Sequence, residues 1–150
     1  MPALRPAVPD DLAAVESLVQ DAYSPYLETI GVRPGPLFDD YADYIARGFV
    51  HVLEDNEALL ALIVLIPETQ TLLLDNIAVS PKTQKRGFGR LLMAFAEQQA
   101  RDANLSAIRL YTHEKMVENQ ALYRAFGYVE THRCEDKGLA RVFMTKALLP

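Results

Sequence analysis

The sequence predicts a mixed α/β fold in one domain, and three observations lead there. Short runs rich in branched apolar residues recur at 49–53, 58–66 and 72–79, the signature of strands. Two longer stretches, 10–23 and 91–103, carry apolar residues at helical spacing. The two kinds interleave without the strict strand–helix repeat of a doubly wound sheet, so a mixed sheet is expected.

Taken in order, residues 3–8 read as an opening strand, and Pro9-Asp10-Asp11 punctuates it. Asp10 is expected to cap a helix running to about Tyr23, with Leu12, Val15, Leu18 and Val19 as its apolar stripe. Pro25, Gly31, Pro34, Gly35 and Pro36 break regular structure across 24–36. A short helix follows over 39–47, stopped by Gly48. Strands 49–53 and 58–66 form a hairpin through 54–57, and strand 72–79 leads into a glycine-bearing turn at 84–90. Beyond it come helix 91–103 with Asn104 as a C-cap, strand 107–111, and helix 117–126 with Leu122 and Phe126 on one side. Gly127 stops that helix in a left-handed conformation. An antiparallel pair, 128–134 and 140–147, closes the chain around Asp136-Lys137-Gly138.

The 150 residues carry a net charge of −5. Such a length suits a single domain, residues 1–150, burying about 70% of its unfolded surface. The acidic balance argues against a nucleic-acid partner bound through a general field. The one cysteine, Cys134, excludes an internal disulfide and reads as structural. The first residues lack a signal-peptide core, and the run 58–66 is too short to span a bilayer. A cytoplasmic protein without a membrane partner is expected, as monomer or homodimer. No His, Cys and carboxylate set shows zinc spacing, so no metal is expected.

Against that acidic background Lys85, Arg86 and Arg90 form a local basic cluster around Gly87-Phe88-Gly89. Two glycines one residue apart let the backbone turn with its N–H groups outward, and the helix start adds unpaired donors. That combination suits a phosphate or pyrophosphate. A P-loop would need Lys-Ser/Thr after the second glycine, but Arg90-Leu91 follows. A dinucleotide turn would need a third glycine where Leu92 stands.

Gln84-x-x-Gly87-x-Gly89 after Ile77-Ala78-Val79-Ser80-Pro81 resembles the acetyl-CoA pyrophosphate loop of the GCN5-related N-acetyltransferases (GNAT). A second stretch, Glu118-Asn119-Gln120-Ala121-Leu122-Tyr123 through Tyr128, resembles the family's helix beside the pantetheine arm. The resemblance implies the GNAT fold, a mixed and mostly antiparallel sheet of six to seven strands flanked by about four helices. It implies acetyl-CoA as co-substrate, held by Gln84 to Arg90 and by Ile77, Ala78 and Val79, where strand four is expected to bulge and offer an oxyanion donor. Asn119 and Tyr123 share a helix face toward the thioester. One departure is the absence of glycine from the turn before the third strand, where Ala58-Leu59-Leu60 follows directly.

The chemistry implied is direct acetyl transfer to the primary amine of a small metabolite. An amine with a pKa of about 10.4 must lose its proton first, costing on the order of 4–5 kcal/mol at neutral pH. His113, just past strand 107–111, and Asp75, beside the expected oxyanion strand, are rival bases. Tyr123 is the candidate acid for the leaving sulfur. His51 and His132 lie in strands away from this cleft. Acceptor recognition is expected from Tyr23, Tyr26 and Tyr41 with Tyr44. Glu28, Asp39, Asp40 and Asp43 would draw a cation and Arg33 would grip a carboxylate. Transfer to protein N-termini or lysines, and a non-catalytic CoA-binding module, are the alternative readings.

Overall fold

The computed structural model describes residues 2–26, 39–83, 86–136 and 139–148. Its elements are β1 (Ala3–Pro6), α1 (Leu12–Tyr23), α2 (Tyr41–Ala46), β2 (Val50–Asp55), β3 (Ala58–Pro67), β4 (Thr71–Val79), α3 (Phe88–Asp102), β5 (Ala107–His113), α4 (Val117–Ala125), β6 (Val129–Asp136) and β7 (Leu139–Ala147). The strands form one seven-stranded sheet in the order β1-β2-β3-β4-β5-β7-β6. Only the β4–β5 pair is parallel. Helices cover both faces, and β3 shows why its run is apolar throughout. Ala61, Ile63 and Leu65 join the core with Leu92 and Met93 of α3, while Leu62 and Val64 join the core with Val15, Leu18 and Val19 of α1.

Several boundaries shift for identifiable reasons. The first helix starts at Leu12 rather than after Asp10, because Pro9–Asp11 forms a 3₁₀ turn. Asp11, not Asp10, makes the stabilising contacts: its carboxylate accepts from Arg5 at 2.8 and 3.0 Å and from the Val8 N–H at 2.8 Å. Asp40 caps α2, accepting from the Asp43 N–H at 3.1 Å. The β2–β3 turn shortens to Asn56-Glu57, both left-handed at φ 52° and 65°, so two non-glycine residues make the turn that lacks glycine. Lys137 and Gly138, placed in the last hairpin turn, lie outside the described residues.

Two irregularities in β4 open the sheet. Thr71 to Leu74 pair with Ala107 to Leu110, and there the parallel ladder ends while β5 runs on to His113 against β7. On the other edge, Val64 pairs with Asn76 but Leu65 pairs with Leu74, which leaves Asp75 as an extra, unpaired residue. The expected bulge is thus real but falls at Asp75, two residues before Ile77. It lies where β4 and β5 begin to part.

Candidate active site

Parting leaves one edge of β4, beyond Leu74, without a strand partner among the described residues. The Ser80 N–H donates to the Leu60 carbonyl on β3 at 2.8 Å. Alternation along an antiparallel ladder then turns Ala78 toward β3 and turns Ile77 and Val79 toward the open edge. The Tyr23 hydroxyl agrees, donating to the Ile77 carbonyl from that side at 3.1 Å. Ile77 and Val79 therefore aim two backbone N–H groups into a cleft of about 400 Å³, a size suited to a cofactor-sized ligand. Ala78, Gly87, Phe88, Gly89 and Arg90 line the same cleft.

The far wall is the glycine turn. Gly87 sits at φ 81° and caps α3, so the helix starts at Phe88, three residues earlier than the apolar periodicity suggested. Its first hydrogen bond runs from the Leu91 N–H to the Gly87 carbonyl, leaving the N–H groups of 88–90 ahead of it. A Cβ on Gly89 would make an ordinary contact with Leu122 of α4 at 3.5 Å, so the two helices meet at the cleft. Arg86 lies over the Phe88 ring at 4.9 Å. Gln84 and Lys85, both expected in this loop, lie outside the described residues. Nothing lies within 4 Å of a Cβ built on Gly87, so Gly87→Ala should cost only backbone strain. We expect about 1–2 kcal/mol, read as a Tm lower by roughly 3–8 °C in a thermal melt.

A smaller cavity adjoins this cleft and shares Tyr23, Met116 and Asn119 with it. Asp75, Tyr111, His113, Tyr123 and Arg141 also line it. The bulge brings Asp75 inward: it is 7% exposed, its Oδ1 accepts from the Tyr111 hydroxyl at 3.0 Å, and its Oδ2 is buried without a partner. Such an oxygen calls for a water or a ligand donor. Tyr123 is 4% exposed, and its hydroxyl finds no partner among the described residues. Burial, with a smaller push from Tyr26, holds its pKa well above the usual phenol value, so it keeps its proton and has an O–H to donate. Gln120 ties α4 to the end of β5, donating to the carbonyls of His113 at 3.2 Å and Glu114 at 2.9 Å.

His113 reaches the cavity, but its ring is engaged. Nδ1 accepts from the Lys115 N–H at 3.1 Å, which leaves the neutral imidazole its proton on Nε2 and no vacant lone pair. Burial also lowers its pKa. Of the two rival bases, Asp75 has the unused acceptor.

The tyrosines expected to meet the acceptor divide. Tyr26 lines the larger cleft, and Tyr23 lines both cavities. Tyr41 lines neither: it is 4% exposed, and the Asn76 Nδ2 donates to its hydroxyl at 2.8 Å. Asn76 in turn accepts from Tyr23 at 2.5 Å. Tyr41 is therefore tied to β4 through Asn76. Tyr44 packs edge-on against Tyr41 at 6.0 Å between ring centroids. Arg33 and Glu28 lie outside the described residues. Cys134, expected to be structural, is exposed on the edge strand β6. His51 packs on Phe95 and His132 stacks on Phe143, neither of them lining the cavities.

Sequence reasoning missed Asn76, Tyr111 and Arg141. Asn76 did leave a trace, since Asp75-Asn76 interrupts an otherwise apolar strand. Tyr111 and Arg141 left none, because only strand register brings β5 and β7 to the cavity. Among the described residues no group of three or more His, Cys, Asp or Glu is placed to hold a metal, and no helix is long and apolar enough to cross a membrane.

Comparison with known proteins follows the same lines. The model of the acetyltransferase (GNAT) family matches residues 13–128. Among solved structures, the chain is similar to the PaiA N-acetyltransferase from Thermoplasma acidophilum in complex with coenzyme A, with 14% identity, 99% of both chains covered and a TM-score of 0.83. Ard1 from Thermoplasma volcanium shares 16% identity over 99% of both chains, with a TM-score of 0.78. The ribosomal-protein-S18-alanine N-acetyltransferase from Escherichia coli shares 19% identity, covering 98% of this chain and 94% of its own, with a TM-score of 0.75. No curated protein matches by sequence. At these identities the solved structures speak for the fold, a mixed seven-stranded sheet with helices on both faces, and the family model speaks for the lineage. A chain matched by that model over more than half its length, with the glycine turn and the tyrosine helix facing one cleft, belongs to the GNAT family of acetyltransferases.

Proposed function

We propose that this protein is an N-acetyltransferase moving the acetyl group of acetyl-CoA directly to a primary amine of a small metabolite. The observation that carries the reading is the pairing of a buried carboxylate and a buried phenol on one cavity. The Asp75 Oδ2 is buried without a donor and the Tyr123 phenol lines the same cavity, beside a cleft rimmed by backbone N–H groups. Acetyl-CoA supplies the activated acyl group as a thioester. The N–H groups of 88–90 and the Arg90 side chain suit its pyrophosphate, and Asn119 suits the arm that follows.

The chain's own groups then divide the work. Asp75 takes the amine proton through its unpaired oxygen, directly or across one water, so the neutral nitrogen attacks the acyl carbon. One N–H of the open β4 edge, from Ile77 or Val79, meets the oxyanion that forms, on an edge held by the Tyr23 bond to the Ile77 carbonyl. Tyr123 donates its proton to the departing sulfur as the carbon–sulfur bond breaks, and the second proton of the attacking nitrogen replaces it as the amide forms. Tyr23, Asn76 and Tyr41 hold the strand that carries these donors.

The test is incubation with acetyl-CoA and a panel of amines, following free CoA and identifying the acetylated product by mass. Turnover of small amines is expected. Peptides outcompeting them would move the acceptor to proteins. Binding of acetyl-CoA with no turnover across the panel would refute the catalytic reading.

A further inference from the structure

The acceptor cavity carries two opposite charges whose placement specifies more than an amine. Its described ionisable lining comprises the three tyrosines, His113, Asp75 and Arg141. Asp75 is one fixed end, a carboxylate 7% exposed with an unpaired oxygen. Arg141 is the other. It stands on β7 opposite His113, and its guanidinium lies over the Tyr111 ring at 4.3 Å. Tyr111 connects the two, because its hydroxyl donates to Asp75 at 3.0 Å while its face carries Arg141.

A guanidinium carries five N–H donors in a planar fork, and that fork matches a carboxylate better than any point charge does. Its geometry also serves more than one acceptor at once, so other partners of Arg141 do not exclude a ligand. One phenol therefore separates a subsite for an amine from a subsite for an anion. Leu74, Met116 and Leu139 make much of the remaining wall apolar. We infer that the acceptor is an amino acid, its amine at Asp75 and its carboxylate at Arg141, with an uncharged side chain against the apolar wall. This rests on the N-acetyltransferase reading and narrows its substrate class. A diamine of similar size would bring its second ammonium against Arg141, and a peptide N-terminus or an amino-acid amide would bring it no carboxylate.

The test reads binding as well as turnover. The protein saturated with CoA is titrated by calorimetry with each of the twenty protein amino acids. The tightest binder is then compared with its carboxamide and its decarboxylated amine. Each analogue should bind about 10- to 100-fold more weakly, the range expected for loss of a charge-assisted hydrogen bond. Arg141→Gln should erase the difference between acid and carboxamide, Arg141→Lys should keep part of it, and unchanged CoA affinity certifies that each variant is folded. The inference is overturned if no amino acid binds, if wild type binds the carboxamide equally well, or if the preference survives in Arg141→Gln. Amino-acid binding with the expected preference, but no acetyl transfer, would instead remove the catalytic reading. Should CoA itself fail to bind, the same titrations of the free protein decide the question.

Discussion

Tyr123→Phe is expected to lower kcat by about 10²- to 10³-fold while leaving the KM for acetyl-CoA within a factor of three. The substitution is clean in structural terms. The hydroxyl has no partner among the described residues, and the ring contact to Tyr128, at 6.1 Å between centroids, survives in Phe. What is lost is the donor that meets the departing sulfur, an interaction made only as the thioester breaks, so the loss belongs in kcat. Burial keeps the wild-type phenol protonated beyond the ordinary value of about 10. The alkaline limb of the wild-type profile should therefore show no fall near pH 10 attributable to Tyr123. Steady-state kinetics across pH with both proteins decides this, and an unchanged kcat would assign the acid role elsewhere.

Asp75→Asn is expected to cost about 10²-fold in kcat at neutral pH and to change the shape of the pH profile. Asn keeps an oxygen for the Tyr111 hydroxyl, so the cavity wall should hold. Without the carboxylate, the neutral amine must come from solution. The rate of the variant should then rise about tenfold per pH unit until the amine's own pKa is reached, and should approach wild type there. A variant with the wild-type profile would return the role to His113. The His113 geometry argues otherwise, since a ring whose Nδ1 already accepts from Lys115 has nothing left to take a proton with.

How far the sequence foretold this site follows from the kind of information each residue depends on. The glycine turn was legible because its signal is local: a positive φ at Gly87, a helix start and a basic cluster sit within seven residues. Asn119 and Tyr123 were singled out by the resemblance to the family's helix, and helical periodicity puts them on one face. Asp75 was placed beside the right strand, but the bulge that turns it inward depends on a register shift between β3 and β4, which no local pattern encodes. The anchoring of Tyr41 was equally hidden. A tyrosine in a proline-broken region reads as a ligand contact, yet a buried Asn76 thirty-five residues away takes its hydroxyl. Arg141 was invisible for the same reason, since its approach to Tyr111 is a matter of β5–β7 register.

The short parallel ladder between β4 and β5 also bears on how activity relates to folding. Four residues on each strand join one half of the sheet, β1 to β4, to the other, β5 to β7, and the connection between them passes through the whole of α3. Parallel pairing across such a crossover is a long-range contact, whereas the β2–β3 and β6–β7 hairpins are local. Neither half holds a complete site. One carries Asp75, Ile77 and Val79, and the other carries Tyr111, Tyr123 and Arg141. Acetyl transfer as proposed above thus requires the two half-sheets to dock along that seam, which one core shared by β3, β4, β5 and β7 also holds together.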